Sequence, residues 1–231
     1  MTEEQRKQRL ADNTRALDQV QEAVYAVLKP YGFRKNGRLF HRFVDGDVSQ
    51  VVEFQRGQAY REETHLFWVS AGIRVPECAL RSLVPEENPK KFYHEYECNM
   101  RWTLGEKSKK KTGEYDLRKP LNPIVADILH RLEASVLPMF EVLSSRDVIL
   151  EKRGSYPQLQ PSHLYLLENA LIYGRRGELE KAAKCFNAHY RGENDPAFVQ
   201  RQPEAQRQHQ EYLRELAEKL GIIINDNTPE A

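Results

Sequence analysis

Hydrophobic residues recur at helical spacing in some parts of the chain and alternate with polar residues in others. From Thr2 to Lys29 they recur at helical spacing, with charged residues between them, which predicts an amphipathic helix. Pro30 and Gly32 predict the end of that helix, because neither residue continues a helix easily. From residue 38 to 75 the period shortens to two, and the pattern there predicts strands.

Three strands are predicted in this extended part. Arg38–Val44 and Val48–Gln55 form a hairpin around Asp45-Gly46-Asp47, where glycine supplies a positive φ. His65–Val75 alternates cleanly. The residues that share its apolar face are Phe67, Val69, Ala71, Ile73 and Val75.

A fourth strand is predicted over Tyr93–Leu104, which has the best alternation in the chain. Its apolar face carries Tyr96, Cys98, Met100, Trp102 and Leu104. Glu95 and Glu97 then share the opposite face of the strand. A basic loop and a short segment at 115–117 follow. We expect an antiparallel sheet with helices on one face, while the other meets water or a partner.

The sequence after the short segment at 115–117 predicts mainly helices. Asn122-Pro123 has the residue types of an N-cap and first helical position and predicts the start of a helix, which Pro138 kinks or ends. A second helix is predicted over Ser145–Lys152. The segment Arg153–Pro161 is rich in turn-forming residues and predicts a linker. The helices predicted beyond the linker are 162–176, 178–190 and 203–220.

These elements predict an α+β fold. An antiparallel sheet of four to five strands is covered by helices, and a helical extension follows. The predicted organisation is an α+β domain over 1–152, a linker over 153–161 and the extension over 162–231. The strand residues predicted to share one core are Phe67, Val69, Ile73, Met100 and Trp102. Their predicted helical neighbours are Leu17, Val24 and Ile128.

The order of several sequence patches resembles a known bacterial family, domain of unknown function 4304. The patches are LKPYGFRKNGRLFHR at 28–42, VVEFQ at 51–55, HLFWVSAGI at 65–73 and RWTLG at 101–105. The resemblance covers roughly residues 10–145. It implies the fold described above and carries no activity with it.

A second pattern resembles one tetratricopeptide-type helix hairpin. The residues that carry it are Leu166, Ala170, Tyr173, Gly177, Leu179, Ala182 and Phe186. Small residues at such positions let two helices pack closely, although a solenoid needs about three repeats. An ordinary helical hairpin explains the same pattern.

Composition limits the functional classes. The 231 residues carry 35 Lys+Arg against 34 Asp+Glu, a net charge of +1, so no overall field attracts nucleic acid or a membrane surface. The N-terminus lacks a signal-peptide pattern, and no apolar run is long enough to span a membrane. Three widely spaced cysteines form no disulfide framework. We expect a cytoplasmic protein with no membrane partner.

The sequence shows none of the common catalytic patterns. It has no GxSxG elbow, no P-loop, no GxGxxG and no HExxH, and the seven histidines lack metal-ligand spacing. We therefore predict no metal and no cofactor. Glu95 and Glu97 have the chemistry for acid–base catalysis, but carboxylates in such a pattern more often form a solvated ladder with neighbouring strands.

Two basic clusters are the candidate binding residues. The first lies near the first strand and the second in the loop after the fourth: Arg34, Arg38, Arg42, and Lys109, Lys110, Lys111. With aromatic residues nearby they could bind a phosphate-rich partner. Lysines that protect a sheet edge from aggregation explain the second cluster without a ligand.

The leading functional hypothesis is a non-enzymatic module that binds another protein. It rests on the partly apolar outer face, with Leu66 and Trp68, and on the helix hairpin. The alternative is a nucleic-acid-associated protein that uses the two basic clusters. A hydrolase of unknown substrate comes third.

Overall fold

The computed structural model describes residues 2–57, 65–104, 107–108, 111–156, 164–193 and 202–225. The chain divides into two compact units. Unit 1 comprises residues 1–74 and 90–148, and unit 2 comprises residues 75–89 and 149–231. Each unit is described separately below.

Unit 1 opens with helix α1 (Glu3–Leu28), as the helical spacing predicts. A capping box starts it: the Thr2 hydroxyl accepts a hydrogen bond from the Gln5 N–H at 3.2 Å, and the Gln5 side chain accepts one from the Thr2 N–H at 2.9 Å. After the helix, Gly32 adopts a φ of 84°. The buried stripe of α1 includes Leu17, Val20, Val24 and Leu28.

The strands of unit 1 form a six-stranded antiparallel sheet and a separate two-stranded antiparallel sheet, which pairs residues 107–108 with 111–112. Four of them are β1 (Arg34–Asn36), β2 (Leu39–Val44), β3 (Val48–Arg56) and β4 (Leu66–Arg74). They are followed by β5 (Met100–Leu104), β6 (Lys107–Ser108), β7 (Lys111–Thr112) and β8 (Tyr115–Asp116). The order across the sheet is β1-β2-β3-β4-β5, with β8 also paired to β4. The predicted α+β class is confirmed, and β1 is a strand that the hydrophobic pattern did not predict.

Helices cover one face of the sheet. They are α1, α3 (Leu121–Arg131) and α4 (Leu137–Val142). Helix α5 (Arg146–Lys152) begins beside the β2–β3 turn, where Arg146 contacts Asp45 and Asp47. Tyr25 of α1 stacks on Phe40 of β2, and Phe140 of α4 contacts Trp102 of β5. The predicted core register is confirmed, because Val69 and Met100 are 0% and 4% exposed.

The helical region over 121–142 differs from the prediction at its N-terminus. Helix α3 begins at Leu121 with Pro120 as its N-cap, so Asn122 is not the cap. A π-helical turn over Leu132–Val136 joins α3 to α4, and Pro138 lies at the start of α4, where a missing N–H costs little. Gln50 of β3 anchors this region by donating to the carbonyl oxygens of Phe140 and Leu143, at 2.7 and 3.2 Å.

The predicted strand over Tyr93–Leu104 is wrong for its first seven residues. Only Met100–Leu104 is a strand, whereas Glu95–Glu97 forms a 3₁₀ turn. Glu97 starts that turn by accepting a hydrogen bond from the His94 N–H at 2.9 Å. Glu95 and Glu97 therefore do not share a strand face.

The outer face of the sheet is more covered than the sequence predicted. Residues 90–99 fold over its centre, and Ser70, Gly72 and Arg74 are buried. The Arg74 guanidinium lies 3.8 Å from the centre of the Tyr93 ring. Leu66 and Trp68 remain half-buried.

Unit 2 is built from helices. Helix α2 (Pro76–Leu80) comes from the segment between β4 and β5, and α6 (Tyr165–Arg175), α7 (Leu179–Tyr190) and α8 (Pro203–Leu220) follow the end of α5. Helix α2 packs on α6, and α6 packs on α7 across a turn at Gly177, whose φ is 78°. Leu179, one of the residues that carry the tetratricopeptide resemblance, is 62% exposed. The tetratricopeptide resemblance and the boundary at 153–161 stay predictions, and residues 157–161 lie outside the described residues.

Candidate binding surface on the outer sheet face

A group of polar side chains lies on the outer face of the sheet in unit 1. Strand register places Glu53 opposite Ser70, Ser70 opposite Thr103, and Gln55 opposite Trp68. Directly paired residues project from the same face, so these side chains form one layer. Residues 93–99 cross above this layer and bond to it.

Glu53 holds the start of the 3₁₀ turn. One carboxylate oxygen lies 2.8 Å from His94 Nδ1, and the other accepts a hydrogen bond from the Glu95 N–H at 2.8 Å. Only 14% of the Glu53 side chain is exposed. Both oxygens are therefore used to orient a backbone segment and a ring.

Glu95 is the second carboxylate of this group, and it is 4% exposed. Arg101 donates to both of its oxygens, at 2.8 and 3.1 Å, in a bidentate pair. Gln55 donates to it at 3.1 Å and accepts a hydrogen bond from the Trp68 indole. The hydrogen bond to Glu95 raises the pKa of Arg101 above its usual value, against the opposing effect of burial.

The outermost group is a pair of stacked rings. His94 and Tyr96 lie with ring centroids 5.2 Å apart and an interplanar angle of 8°. Tyr96 is 64% exposed, whereas the His94 ring beneath it is hydrogen-bonded to Glu53. We call Lys90, His94, Tyr96 and Arg101 the Tyr96 surface.

Glu97 and Lys90 complete the rim of the Tyr96 surface. Their charged groups lie 2.5 Å apart. Burial acts to raise the pKa of Glu97, but hydrogen bonds from Lys90 and from the His94 backbone outweigh it and hold that pKa below its usual value. Both rim cations, Lys90 and Arg101, thus face a carboxylate of the protein itself.

The chemistry available here is limited by burial. The Glu53–His94 pair has the form of a general base held by a carboxylate. Burial raises the pKa of the neighbouring Cys98 thiol far above its usual value, and the Ser70 hydroxyl is enclosed against Thr103. Among the residues that the structure describes, no three His, Cys, Asp or Glu side chains are grouped to hold a metal ion.

The structure describes only part of the two predicted basic clusters. Arg34 lies on β1, Arg38 in the turn to β2, and both are exposed. Lys111 lies on β7, of which only the backbone is described, and Lys109 and Lys110 lie outside the described residues. Because β3 and β4 separate β2 from β5, the strands that lead into the two clusters are roughly 14 Å apart.

Arg42 is committed to the fold. Its guanidinium donates to Gln50 Oε1 at 2.7 Å, to the Tyr31 carbonyl at 2.7 Å and to Glu141 at 2.6 Å. Only 11% of its side chain is exposed. The structure therefore uses this cation to join β2, β3 and α4.

Sequence reasoning missed Glu53 as a candidate residue. The only signal was a single carboxylate inside the apolar run VVEFQ, on the face opposite to Val52 and Phe54. His94, Tyr96 and Arg101 are close in sequence, but the strand predicted over Tyr93–Leu104 places Arg101 on the face opposite to the other two. Their convergence depends on the 3₁₀ turn.

The sequence of this chain matches a known protein family. A family model described as "Domain of unknown function (DUF4304)" matches residues 24–142. The chain belongs to the DUF4304 family. The DUF4304 match contains every residue of the Tyr96 surface and its support, whereas α5 to α8 lie outside it. No curated protein and no solved structure shows a significant match to the chain.

Within the described part of the chain, no helix combines the length and the apolar character required to cross a lipid bilayer.

Proposed function

We propose that this DUF4304 protein is a non-enzymatic module that binds another protein through the Tyr96 surface. The observation that carries the proposal is that Tyr96 is 64% exposed yet stacked on a His94 ring that is bonded to Glu53. A large aromatic side chain is thus presented to solvent in a defined orientation.

Pre-orientation favours association. Immobilising a side chain at an interface costs about 0.5–1.5 kcal/mol, and a ring that is already held avoids part of that cost. Tyrosine and arginine are among the residues enriched at the energetic centres of interfaces. The Tyr96 surface combines both types, since Arg101 is fixed by its bidentate pair with Glu95.

The charges around Tyr96 favour a protein partner over a polyanion. Lys90 is paired with Glu97 and Arg101 with Glu95, so neither cation adds a net positive charge to the surface. Binding to nucleic acid depends on cations that neutralise phosphates. A partner that supplies apolar and hydrogen-bonding groups fits the Tyr96 surface better.

The hydrolase alternative has less support. The Glu53–His94 pair has no accessible nucleophile beside it among the described side chains, because Cys98 and Ser70 are 6% and 2% exposed. An acid–base role for His94 would require the substrate or water to supply the nucleophile.

Site-specific photocrosslinking tests the proposal. A photoreactive phenylalanine analogue is placed at position 96 and, as a matched control, at position 31, another exposed tyrosine of unit 1. In the native cells we expect a discrete protein adduct from position 96 and none from position 31. Tyr96→Ala should then weaken the purified complex by about tenfold or more. Equal adducts from both positions, or an unaffected complex, would contradict the proposal.

Nucleic-acid binding is the second candidate, and the exposed Arg34 and Arg38 favour it. Among the residues that the structure describes, neither side chain forms an ion pair like the one between Arg42 and Glu141. The test is fluorescence anisotropy with a labelled duplex over a salt series. Each neutralised phosphate should add about 0.9 to the slope of log K against log salt. Arg34→Gln with Arg38→Gln, or the triple glutamine variant at Lys109, Lys110 and Lys111, should reduce that slope. Binding that does not depend on salt would eliminate this candidate.

A further inference from the structure

A groove in unit 2 lies between residues 80–84 and helix α8. It encloses 380 Å³, and its apolar lining comes from Leu80, Leu83, Val84, Leu216 and Leu220. This volume is in the range of protein pockets that bury a bound group. Leu80 and Val84 are 43% and 69% exposed, so the apolar wall is left open to solvent.

The wall of the groove is held in place by Arg81. This residue ends α2 in the left-handed region, with a φ of 49°. Its guanidinium donates to the Tyr212 hydroxyl of α8 at 2.7 Å and lies over the same ring at 5.2 Å. The groove is therefore formed by contacts within unit 2 and does not depend on a ligand to shape it.

The charges at the groove are nearly balanced. Arg81 and Lys219 contribute two positive charges, and Glu215 contributes one negative charge. A strongly charged ligand gains little from such a rim. A bulky aliphatic side chain matches the apolar floor and walls.

Such a side chain projects from the same unit at Ile223. Ile223 is 79% exposed, the highest value for a large hydrophobic residue in the described part of the chain. Asn187 of α7 holds its backbone: the side-chain amide donates to the Ile223 carbonyl at 3.1 Å, and the amide oxygen accepts from the Asn225 N–H at 2.7 Å. These bonds fix the segment on α7 and leave the Ile223 side chain in solvent.

We propose that a second copy of this chain occupies the groove, and that each copy inserts Ile223 into the groove of the other. Ile223 follows Leu220, the last groove residue of α8, by three positions. Ile223 therefore lies just beyond the groove residues in the chain, and in a two-fold dimer the same contact is made twice. Interfaces of this self-complementary kind are the commonest in soluble oligomers.

The association is expected to be weak. A stable interface buries roughly 800 Å² on each partner, and one side chain in one groove on each side provides only part of that area. We expect a dissociation constant on the order of 10 µM. The proposal is independent of the Tyr96 surface, which belongs to unit 1.

Sedimentation velocity of the full chain from 1 to 200 µM tests this inference, the range being chosen to bracket an affinity on the order of 10 µM. We expect the wild type to shift from monomer to dimer with concentration, and Ile223→Asp to weaken dimerisation at least tenfold. Leu179→Asp is the matched control, because Leu179 is also exposed, at 62%, but does not line the groove. A wild type that stays monomeric, or a control that is as disruptive as Ile223→Asp, would overturn the proposal.

Disulfide trapping gives a second measurement. When chains carrying Val84→Cys and chains carrying Ile223→Cys are mixed under mild oxidation, a disulfide-linked mixed dimer should form. The control mixture pairs Val84→Cys with Leu179→Cys, and both mixtures share the background from the native cysteines. Equal yields in the two mixtures would show that Ile223 does not lie in the groove of a second copy.

Discussion

Gly72 shows how closely the segment 93–99 approaches the sheet. A Cβ atom at this position would lie 2.8 Å from both the Cβ and the Sγ of Cys98, and 3.2 Å from the Met100 carbonyl oxygen. Real Cβ atoms essentially never make contacts as short as 2.8 Å. The absence of a side chain on β4 is therefore what allows Cys98 to pack against the outer face.

Gly72→Ala should lower the free energy of unfolding by about 1–3 kcal/mol, the usual cost of overpacking a core. Gly154→Ala is the control, because its Cβ would meet only the Tyr165 hydroxyl at 3.9 Å. Urea unfolding of the two variants measures the difference. If both variants unfold like the wild type, the close approach of Cys98 to Gly72 is incorrect.

His41 should make stability depend on pH. Burial, and then the charge of Arg34, lower its pKa from the ordinary value of 6.5. Below pH 6.5 the unfolded chain therefore binds more protons than the folded one, so stability falls as the pH drops from 6.5 toward the lowered folded pKa. At higher pH the contribution of His41 to the free energy of unfolding is constant.

Urea unfolding at pH 7.5 and pH 5.5, values chosen on either side of the usual histidine range, measures this effect. We expect the loss of stability at the lower pH to be smaller in His41→Gln than in the wild type. Arg34→Gln removes the second cause and should reduce the loss partially. An identical pH dependence in wild type and His41→Gln would contradict the assignment.

At the scale of elements, a buried ion pair joins the end of α5 to α6. Arg153 Nη1 lies 2.7 Å from Glu168 Oε2, and the two side chains are 4% and 5% exposed. Arg153 also donates to the Tyr165 carbonyl at 2.5 Å and lies 4.1 Å over the Tyr165 ring. The pair is enclosed by the protein, so losing one partner leaves an uncompensated charge.

Glu168→Ala should cost about 3–5 kcal/mol, because it leaves the Arg153 guanidinium buried without its carboxylate. The double variant Arg153→Met, Glu168→Met should recover most of that loss, since apolar side chains of similar size replace the whole pair. Chemical unfolding of the three proteins provides the comparison. A cost for Glu168→Ala below about 1 kcal/mol, typical of a surface pair, would contradict this account.

At the scale of the whole molecule, unit 2 takes its residues from two parts of the chain. In the described residues of unit 2, the segment 75–89 packs on α6: Cys78 Sγ donates to the Glu168 carbonyl at 3.5 Å, and Arg175 donates to the Leu83 carbonyl at 2.9 Å. An α5–α6 boundary alone therefore does not separate the two units.

We predict that limited proteolysis cuts the chain within 153–161, the segment rich in turn-forming residues. Because residues 75–89 hold α6, the two fragments should stay together in gel filtration and separate only in denaturant. If the two fragments separate at once and the N-terminal fragment stays folded, the contacts between residues 75–89 and α6 do not hold the fragments together. Protection of the whole segment from cleavage would show that the boundary is wrong.

Local patterns in the sequence determined the elements and their main packing. The spacing of Leu17 and Val24 predicted α1, and the alternation from Phe67 to Ile73 predicted both β4 and its buried face. These predictions succeed because burial of an apolar stripe depends on a period that each element repeats many times. The family resemblance was also carried by patches short enough to read directly.

Only the tertiary structure decided the candidate site. Alternation is best at Tyr93–Leu104, yet this segment does not form a strand over its whole length. Glu53 and Glu97 accept hydrogen bonds from the backbone N–H groups of Glu95 and His94 and turn the segment across the sheet. Glu53 lies about forty residues away in sequence, so no local pattern encodes this competition. In the same way, the sequence presents Arg42 as a free cation, whereas in the structure Glu141 of α4 forms an ion pair with it. A periodic pattern specifies which face is buried, whereas hydrogen bonds between distant residues decide where each polar side chain is used.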